Sequence, residues 1–151
     1  LYGENSFRKV INHLQNSGEE ITVGITLEKM IPEEGKVTRG IFKIKDGYLD
    51  SAEEVFGLTK ENFKKKVDYE CLCNMNLFGL NLDIIKRLCK RVGKFKEDNE
   101  DDRKIECYIH IELANVLKKE NRKMKVVPMT EKWLGLTNPE DEITVRESLK
   151  N

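Results

Sequence analysis

Residues 37–52 have the sequence VTRGIFKIKDGYLDSA, with Asp46-Gly47 at the centre. Asp-Gly favours a tight hairpin turn, because both central positions of a type I′ turn need a positive φ. We therefore predict that 37–44 and 48–52 form two antiparallel strands joined by this turn. The fold of the chain has to accommodate this hairpin.

Further strands are predicted on both sides of the hairpin. The segment ITVGITL (21–27) places an apolar residue at every second position, which is the period of a strand that buries one face. The segment YECLCNMNLFGL (69–80) is more continuously apolar, which predicts a strand inside the sheet. A short strand is predicted at 124–129 and another extended piece at 132–137.

Helical spacing of apolar residues separates these strands. It predicts helices at 6–16, at 82–92 with Gly93 as the end, at 105–117, and from 138 onward. The charged run KFKEDNEDDRK (94–104) is predicted to be a solvated loop. Because strands and helices are interspersed, we predict a single α/β domain over 1–151, with a mixed β-sheet flanked by helices.

Composition excludes several classes of protein. Lys plus Arg and Asp plus Glu both number 27, so no net charge attracts a nucleic acid. No apolar run approaches the roughly 18 residues of a membrane helix. The four cysteines form no zinc-binding pattern, and we expect them to be buried free thiols in a reducing cytoplasm. The sequence gives no indication of the oligomeric state.

No common catalytic motif is present in the sequence. It contains no glycine-rich phosphate-binding loop and no H-E-x-x-H motif, and His13 and His110 are far apart along the chain. We expect His13 to lie at the surface, and His110 to follow Ile109 within the helix at 105–117. These observations do not name a reaction.

Polar residues do occur where a strand would favour apolar ones. Asn74 and Asn76 interrupt the strand at 69–80, and their amides need a partner in the backbone, a ligand or a metal. A bulge that satisfies the amides locally and a ligand contact are both compatible with the pattern. Arg39 likewise has two interpretations, a solvated strand residue or an anion-binding residue at the edge of a site.

Six segments, taken in order, resemble the sugar-phosphate nucleotidyltransferases, in particular the bacterial branch of that family. They are LYGENSFRKVINHL (1–14), ITVGITL (21–27), EEGKVTRGIFKIKDGYLDSAEE (33–54), NMNLFGL (74–80), ECYIHIELANVL (106–117) and KMKVVPMTEKWLGLTNPED (123–141). The first segment is similar to the helix that follows the family's acidic motif. The last is similar to the family's Lys-Trp-aromatic-Gly-Val-Thr segment followed by acidic residues.

The resemblance implies a fold and an activity. The implied fold is the C-terminal part of a Rossmann-like (GT-A-like) nucleotidyltransferase domain. The implied reaction transfers a nucleoside monophosphate from a nucleoside triphosphate to a sugar 1-phosphate or a similar phosphorylated acceptor, with release of pyrophosphate and assistance from Mg²⁺.

The resemblance implies four residues of an acceptor site. Gly35 matches a glycine whose backbone approaches the sugar, and Glu54 matches an acid that accepts hydrogen bonds from sugar hydroxyls. Asn74 and Asn76 match an Asn-rich strand that borders the acceptor pocket. Gly135 stands where many relatives have a second metal-binding Asp. This difference implies that Asn74, Asn76 or a water molecule replaces the missing carboxylate, and it leaves the metal ligands unassigned.

The resemblance also implies that some parts lie elsewhere. The family's triphosphate-binding loop and principal metal-binding acid would precede Leu1, so we expect the 151-residue chain to be an acceptor-side portion that is inactive by itself. The alternative is a noncatalytic module that binds a sugar nucleotide or another protein. A glycosyltransferase of the same general fold is disfavoured, because the chain has no D-x-D motif.

Overall fold

The computed structural model describes residues 2–68, 71–102, 104–130 and 141–148. The helices are α1 (Glu4–Ser17), α2 (Phe63–Lys66), α3 (Leu82–Asp98), α4 (Ile109–Lys119) and α5 (Asp141–Ser148). The strands are β1 (Glu20–Thr26), β2 (Val37–Lys45), β3 (Tyr48–Leu58), β4 (Leu72–Gly79) and β5 (Met124–Pro128). A 3₁₀ turn, Leu27–Met30, follows β1.

The five strands form a closed barrel in the order β1-β4-β2-β3-β5. Strand β1 pairs in antiparallel fashion with β4 and in parallel with β5. Closure occurs between β3 and β5, where Tyr48 pairs with Lys125 and the Val126 N–H donates to the Gly47 carbonyl at 3.1 Å. The barrel is therefore mixed, with one parallel pair of strands.

The predicted fold class, an open mixed sheet flanked by helices as part of a Rossmann-like domain, is wrong. The sheet closes on itself because the turn end of the β2–β3 hairpin reaches β5, where Tyr48 pairs with Lys125. Irregular register between Thr22 and Gly24, and between Lys43 and Ile44, interrupts the ladders. Such irregularities bend strands and increase their twist, which assists closure.

The central hairpin itself is confirmed. Asp46 and Gly47 have φ of 53° and 80°, as a tight turn between right-twisted strands requires. Strand β3 runs to Leu58, six residues beyond the predicted end at Ala52. Strand β4 lies between β1 and β2, as its continuous apolar character indicates.

Helix α3 is longer than predicted. It continues through Gly93 to Asp98, so the first part of the charged run is helical rather than a loop. A glycine inside a helix costs roughly 1 kcal/mol relative to alanine, which does not end a helix of this length by itself. The Lys94–Asp98 ion pair at 2.8 Å, one helical turn apart, supports the final turn.

Three apolar clusters hold the helices against the barrel. The largest joins the 3₁₀ turn and Phe63 of α2 to β1, β2 and β4. A second packs Val10 of α1 on Ile21 and Val23 of β1. The third packs α3 and α4 against Met124 of β5. Helix α4 therefore lies over the barrel with its first turn close to the β2–β3 hairpin.

A buried acid links β1 to the helical layer. The Glu20 side chain is inaccessible to solvent and accepts hydrogen bonds from Arg122 at 2.7 Å and from Asn81 at 2.9 Å. Arg122 also reaches Asp83 at 3.2 Å. These contacts connect the start of β1, the start of α3 and the segment before β5.

No helix within the described ranges is long and apolar enough to cross a membrane. The predicted extended piece at 132–137, which includes Trp133 and Gly135, lies outside the described residues.

Candidate functional site

Glu54 and His110 meet where α4 crosses the hairpin. Glu54 lies on β3 opposite Gly40 of β2, and its Oε1 atom is 3.3 Å from Nε2 of His110 in the first turn of α4. The side chains of Glu54 and His110 are 12% and 4% exposed. The structure thus brings a carboxylate and an imidazole together in a mostly water-excluded position.

Gly40 makes this approach possible. A Cβ atom at residue 40 would lie 2.5 Å from Nε2 of His110, closer than atoms can approach without a shift. The absence of a side chain on β2 therefore creates the space that the imidazole fills.

The surroundings of His110 disfavour the charged form of its imidazole. Burial lowers the pKa of the imidazole, and a hydrogen bond with the backbone of Glu53 partly opposes this effect. Its Nε2 atom makes no hydrogen bond with any residue that the structure describes, although Glu54 is close. One polar atom of the ring is therefore buried and unsatisfied.

The surroundings of Glu54 raise the pKa of its carboxyl group. Burial raises the pKa of its carboxyl group, the negative charge of Glu106 raises it further, and the positive charge of Arg39 opposes both effects. Raised carboxyl pKa values in partly enclosed positions are typical of functional sites.

Two aromatic rings border the carboxylates. Phe56, two residues after Glu54 on β3, packs edge-on against Tyr108 with ring centroids 6.5 Å apart. Tyr108 in turn packs against the imidazole of His110 at 6.1 Å, and its side chain hydrogen-bonds with Glu106. We call Glu54, Phe56, Glu106, Tyr108 and His110 the hairpin–helix site.

Arg39 supplies a fixed positive charge near this site. Its Nε and Nη2 atoms donate to the Met30 carbonyl at 3.3 and 3.1 Å, and its Nη1 atom donates to the Thr38 carbonyl at 3.0 Å. Because backbone carbonyls hold the guanidinium, it acts on Glu54 mainly through its charge.

Asn74 and Asn76 satisfy each other in a bulge of β4. The Asn74 amide donates to Oδ1 of Asn76 at 2.8 Å, and the Asn76 backbone N–H donates to Oδ1 of Asn74 at 2.9 Å. Asn76 has a φ of 54°, and the β1–β4 register shifts at this point. The two amides thus have local partners, which is the first of the two interpretations that the sequence allows.

Gly35 lies in the exposed loop between the 3₁₀ turn and β2. It has a φ of 84°, and no atom lies within 4 Å of where a Cβ would be. The glycine is explained by this left-handed backbone conformation. Of the four predicted site residues, Asn74 and Asn76 form a pair, Glu54 joins the hairpin–helix site, and Gly35 stands open to solvent.

His110 and the aromatic pair are the parts of the site that sequence reasoning missed. A usable signal is present for His110, because it stands three, four and seven residues before Leu113, Ala114 and Leu117 on the buried face of α4. The positions of Phe56 and Tyr108 depend on which helix covers the hairpin, and no local pattern contains that information.

The described residues do not assemble a metal site. Within the described ranges, no group of three His, Cys, Asp or Glu residues is arranged to hold a metal ion. The arrangement that exists can accept hydrogen bonds or bind a positive charge at Glu54 and Glu106, and it offers aromatic surface beside them.

Comparison of the sequence with protein-family models and with curated proteins gives no match.

Proposed function

We propose that this chain forms the acceptor-binding part of a nucleotidyltransferase that transfers a nucleoside monophosphate to a sugar 1-phosphate or a similar phosphorylated acceptor. The observation that carries the proposal is the largely buried carboxylate of Glu54. The resemblance assigns this residue to the acceptor, and it lies in a site bordered by exposed aromatic surface. An ionised carboxylate is a hydrogen-bond acceptor, which suits the hydroxyl groups of an acceptor molecule.

Each residue of the site has a defined part in this proposal. Glu54 accepts a hydrogen bond from the acceptor, and His110 packs behind it as a positioning residue. Arg39 lowers the pKa of Glu54 and so favours its ionised, hydrogen-bond-accepting form. Mg²⁺ would neutralise charge on the phosphates, but the described residues provide no ligand set for it and we assign it none.

The setting we propose is the cytoplasm. All four cysteines are free thiols, but the predicted burial is wrong for Cys89, which is exposed. Burial raises the pKa of Cys71 and Cys73 to about 11 and about 12. Thiols of this kind are protonated and unreactive at neutral pH, as expected for structural cysteines in a reducing compartment.

A noncatalytic module that binds a sugar nucleotide or a protein is the second candidate. It is favoured by the exposed ring of Phe56 beside the acids of the hairpin–helix site, because an exposed aromatic ring can contact a partner without any catalysis. The two candidates differ in turnover, because only the first predicts release of pyrophosphate. A module that binds a sugar nucleotide shares the prediction of sugar-phosphate binding, and a module that binds a protein does not.

Binding and turnover are measured separately. Sugar 1-phosphates are titrated into the 151-residue chain and followed by NMR. Pyrophosphate release is measured on the product of the complete gene with a panel of nucleoside triphosphates and acceptors. We expect binding that Glu54→Gln weakens at least tenfold and Glu4→Gln leaves unchanged, since Glu4 is an exposed acid of α1 paired with Arg8. Absence of sugar-phosphate binding overturns the transferase and the sugar-nucleotide module and leaves only a protein-binding module. Binding without pyrophosphate release favours the sugar-nucleotide module.

A further inference from the structure

The hairpin–helix site exposes an aromatic ring beside acids. Phe56 is 59% exposed, whereas Phe42 and Phe63 are both 2% exposed in the core. The ring of Tyr108 stands at 74° to that of Phe56, so the two rings form a corner rather than a flat stack. An exposed aromatic ring beside polar groups is a frequent feature of ligand-binding surfaces.

The charges around this corner are predominantly negative. Glu54 and Glu106 place two carboxyl groups on one side of this corner. The two groups interact, because the charge of Glu106 raises the pKa of Glu54. The positive groups nearby are engaged with protein oxygens. Arg39 donates to the Met30 carbonyl, and Lys66 donates to the Phe56 and Gly57 carbonyls at 2.8 and 3.3 Å.

The site also contains a polar atom that lacks a partner within the described ranges. Nε2 of His110 is buried without a hydrogen bond among the described residues, and it lies beside Oε1 of Glu54. The largely buried Glu54 carboxylate has the imidazole of His110 as a neighbour, 3.3 Å from Oε1. A carboxylate in this position is stabilised when a ligand brings a donor or a positive charge to it.

We propose that the hairpin–helix site binds an ammonium group carried by the acceptor, with the group against the face of Phe56 and facing Glu54. This inference rests on the proposed function for the identity of the molecule as an acceptor, and it narrows the acceptor to an amino alcohol or amino sugar compound. An ammonium group satisfies both features of the site, because aromatic faces and carboxylates each attract a cation.

A neutral hydroxyl satisfies only one of these features. It donates a hydrogen bond to Glu54 but gains no electrostatic attraction from the aromatic face. At an exposed ring such as Phe56 a cation gains roughly 2- to 5-fold in affinity from the aromatic face, and the attraction of the Glu54 carboxylate adds to this gain. Preference for the cationic member of a matched pair of ligands therefore measures the proposed contact directly.

Two matched pairs of probes test the proposal on the 151-residue chain. Choline is compared with its neutral carbon isostere 3,3-dimethyl-1-butanol, and glucosamine is compared with glucose. Dissociation constants are obtained from NMR titrations at fixed ionic strength. We expect the charged member of at least one pair to bind five or more times tighter. The pair that shows the preference tells whether the ammonium group comes from an amino alcohol or an amino sugar.

Variants locate the binding. Phe56→Leu keeps an apolar side chain without a π face, and Glu54→Gln keeps the shape of the side chain without its charge. Both are expected to abolish the preference. Phe7→Ala and Glu4→Gln, which alter an exposed ring and an exposed acid of α1, are expected to retain it. Circular dichroism spectra establish that each variant folds.

Equal affinity within both pairs, or a preference that survives either Phe56→Leu or Glu54→Gln, overturns the ammonium proposal. The proposed function fails by a different result. Sugar 1-phosphates that bind with no preference for an ammonium group overturn this inference and leave the acceptor role standing. An ammonium preference in a gene product that releases no pyrophosphate supports the site and overturns the transferase.

Discussion

Gly40 and His110 occupy complementary positions: the imidazole fills the space that a side chain on residue 40 would take, and a Cβ there would lie 2.5 Å from Nε2. This contact joins β2 to α4 and fixes the distance between the helix and the hairpin. The Glu54–His110 separation depends on it, because Glu54 is the neighbour of Gly40 across the β2–β3 ladder.

Gly40→Ala is therefore expected to destabilise the protein. The added methyl group forces the buried imidazole or α4 to move, and overpacking of this kind costs roughly 1–3 kcal/mol. Urea unfolding measures the loss. The double variant Gly40→Ala with His110→Ala should recover part of it, and strictly additive effects of the two changes would contradict the contact.

The local parts of this fold are readable from the sequence, and the long-range parts are not. Asp46-Gly47 predicts the turn, because its backbone requirement lies within two residues. The alternation of 21–27 correctly predicts a strand, but the prediction that one face is buried is wrong, because β1 is buried on both faces from Glu20 to Ile25. The contacts of Gly47 and Tyr48 with Val126 and Lys125 join residues far apart in the chain, and they turn an open sheet into a barrel.

The same division applies to the site. The resemblance singles out Glu54 as an acid of the acceptor site. The surroundings of its side chain depend on α4, which is separated from it by more than fifty residues of sequence. Asn74 and Asn76 are amides in an otherwise apolar strand, and in the structure they hydrogen-bond to each other within a bulge. A polar residue in a strand thus signals an irregularity more directly than it signals a ligand.

Arg122→Met is expected to cost roughly 3–5 kcal/mol, because it leaves the fully buried Glu20 carboxylate without its cation. The free energy of unfolding from urea titration gives the value. In the double variant Arg122→Met with Glu20→Gln, most of the loss should be recovered. A single-variant loss below about 1 kcal/mol would show that Asn81 alone suffices for Glu20.

The stability of the protein should depend on the protonation of His110. Burial lowers the pKa of His110 in the folded state, so below the unfolded-state pKa the unfolded chain binds more protons at this residue. The contribution of His110 to stability is therefore present above about pH 6.5 and is lost as the pH falls below that value.

The comparison of wild type with His110→Phe isolates this contribution. Glu54 titrates beside His110 with a raised pKa, so its contribution has the opposite sign and falls as the pH rises. The unfolding free energy of wild type minus that of His110→Phe, measured from pH 5 to pH 8, should increase with pH. A difference that is constant over this range, or that decreases, would show that His110 is not held neutral by burial.

The Asn74–Asn76 pair tests whether the bulge of β4 is structural. Asn76 has a positive φ, which glycine adopts without strain and a β-branched residue does not. We expect Asn76→Gly to change the free energy of unfolding by less than about 0.5 kcal/mol and Asn76→Val to cost roughly 1–3 kcal/mol. Asn74→Ala removes the acceptor of the Asn76 N–H and should cost about 1 kcal/mol.

Thermal and urea unfolding give these values, and sugar 1-phosphate titrations of the same variants separate a structural role from a binding role. If Asn76→Gly folds normally but no longer binds the acceptor, the amide contacts the ligand. If binding is unchanged, the two asparagines serve the bulge, and acceptor recognition lies with Glu54 and the residues around it.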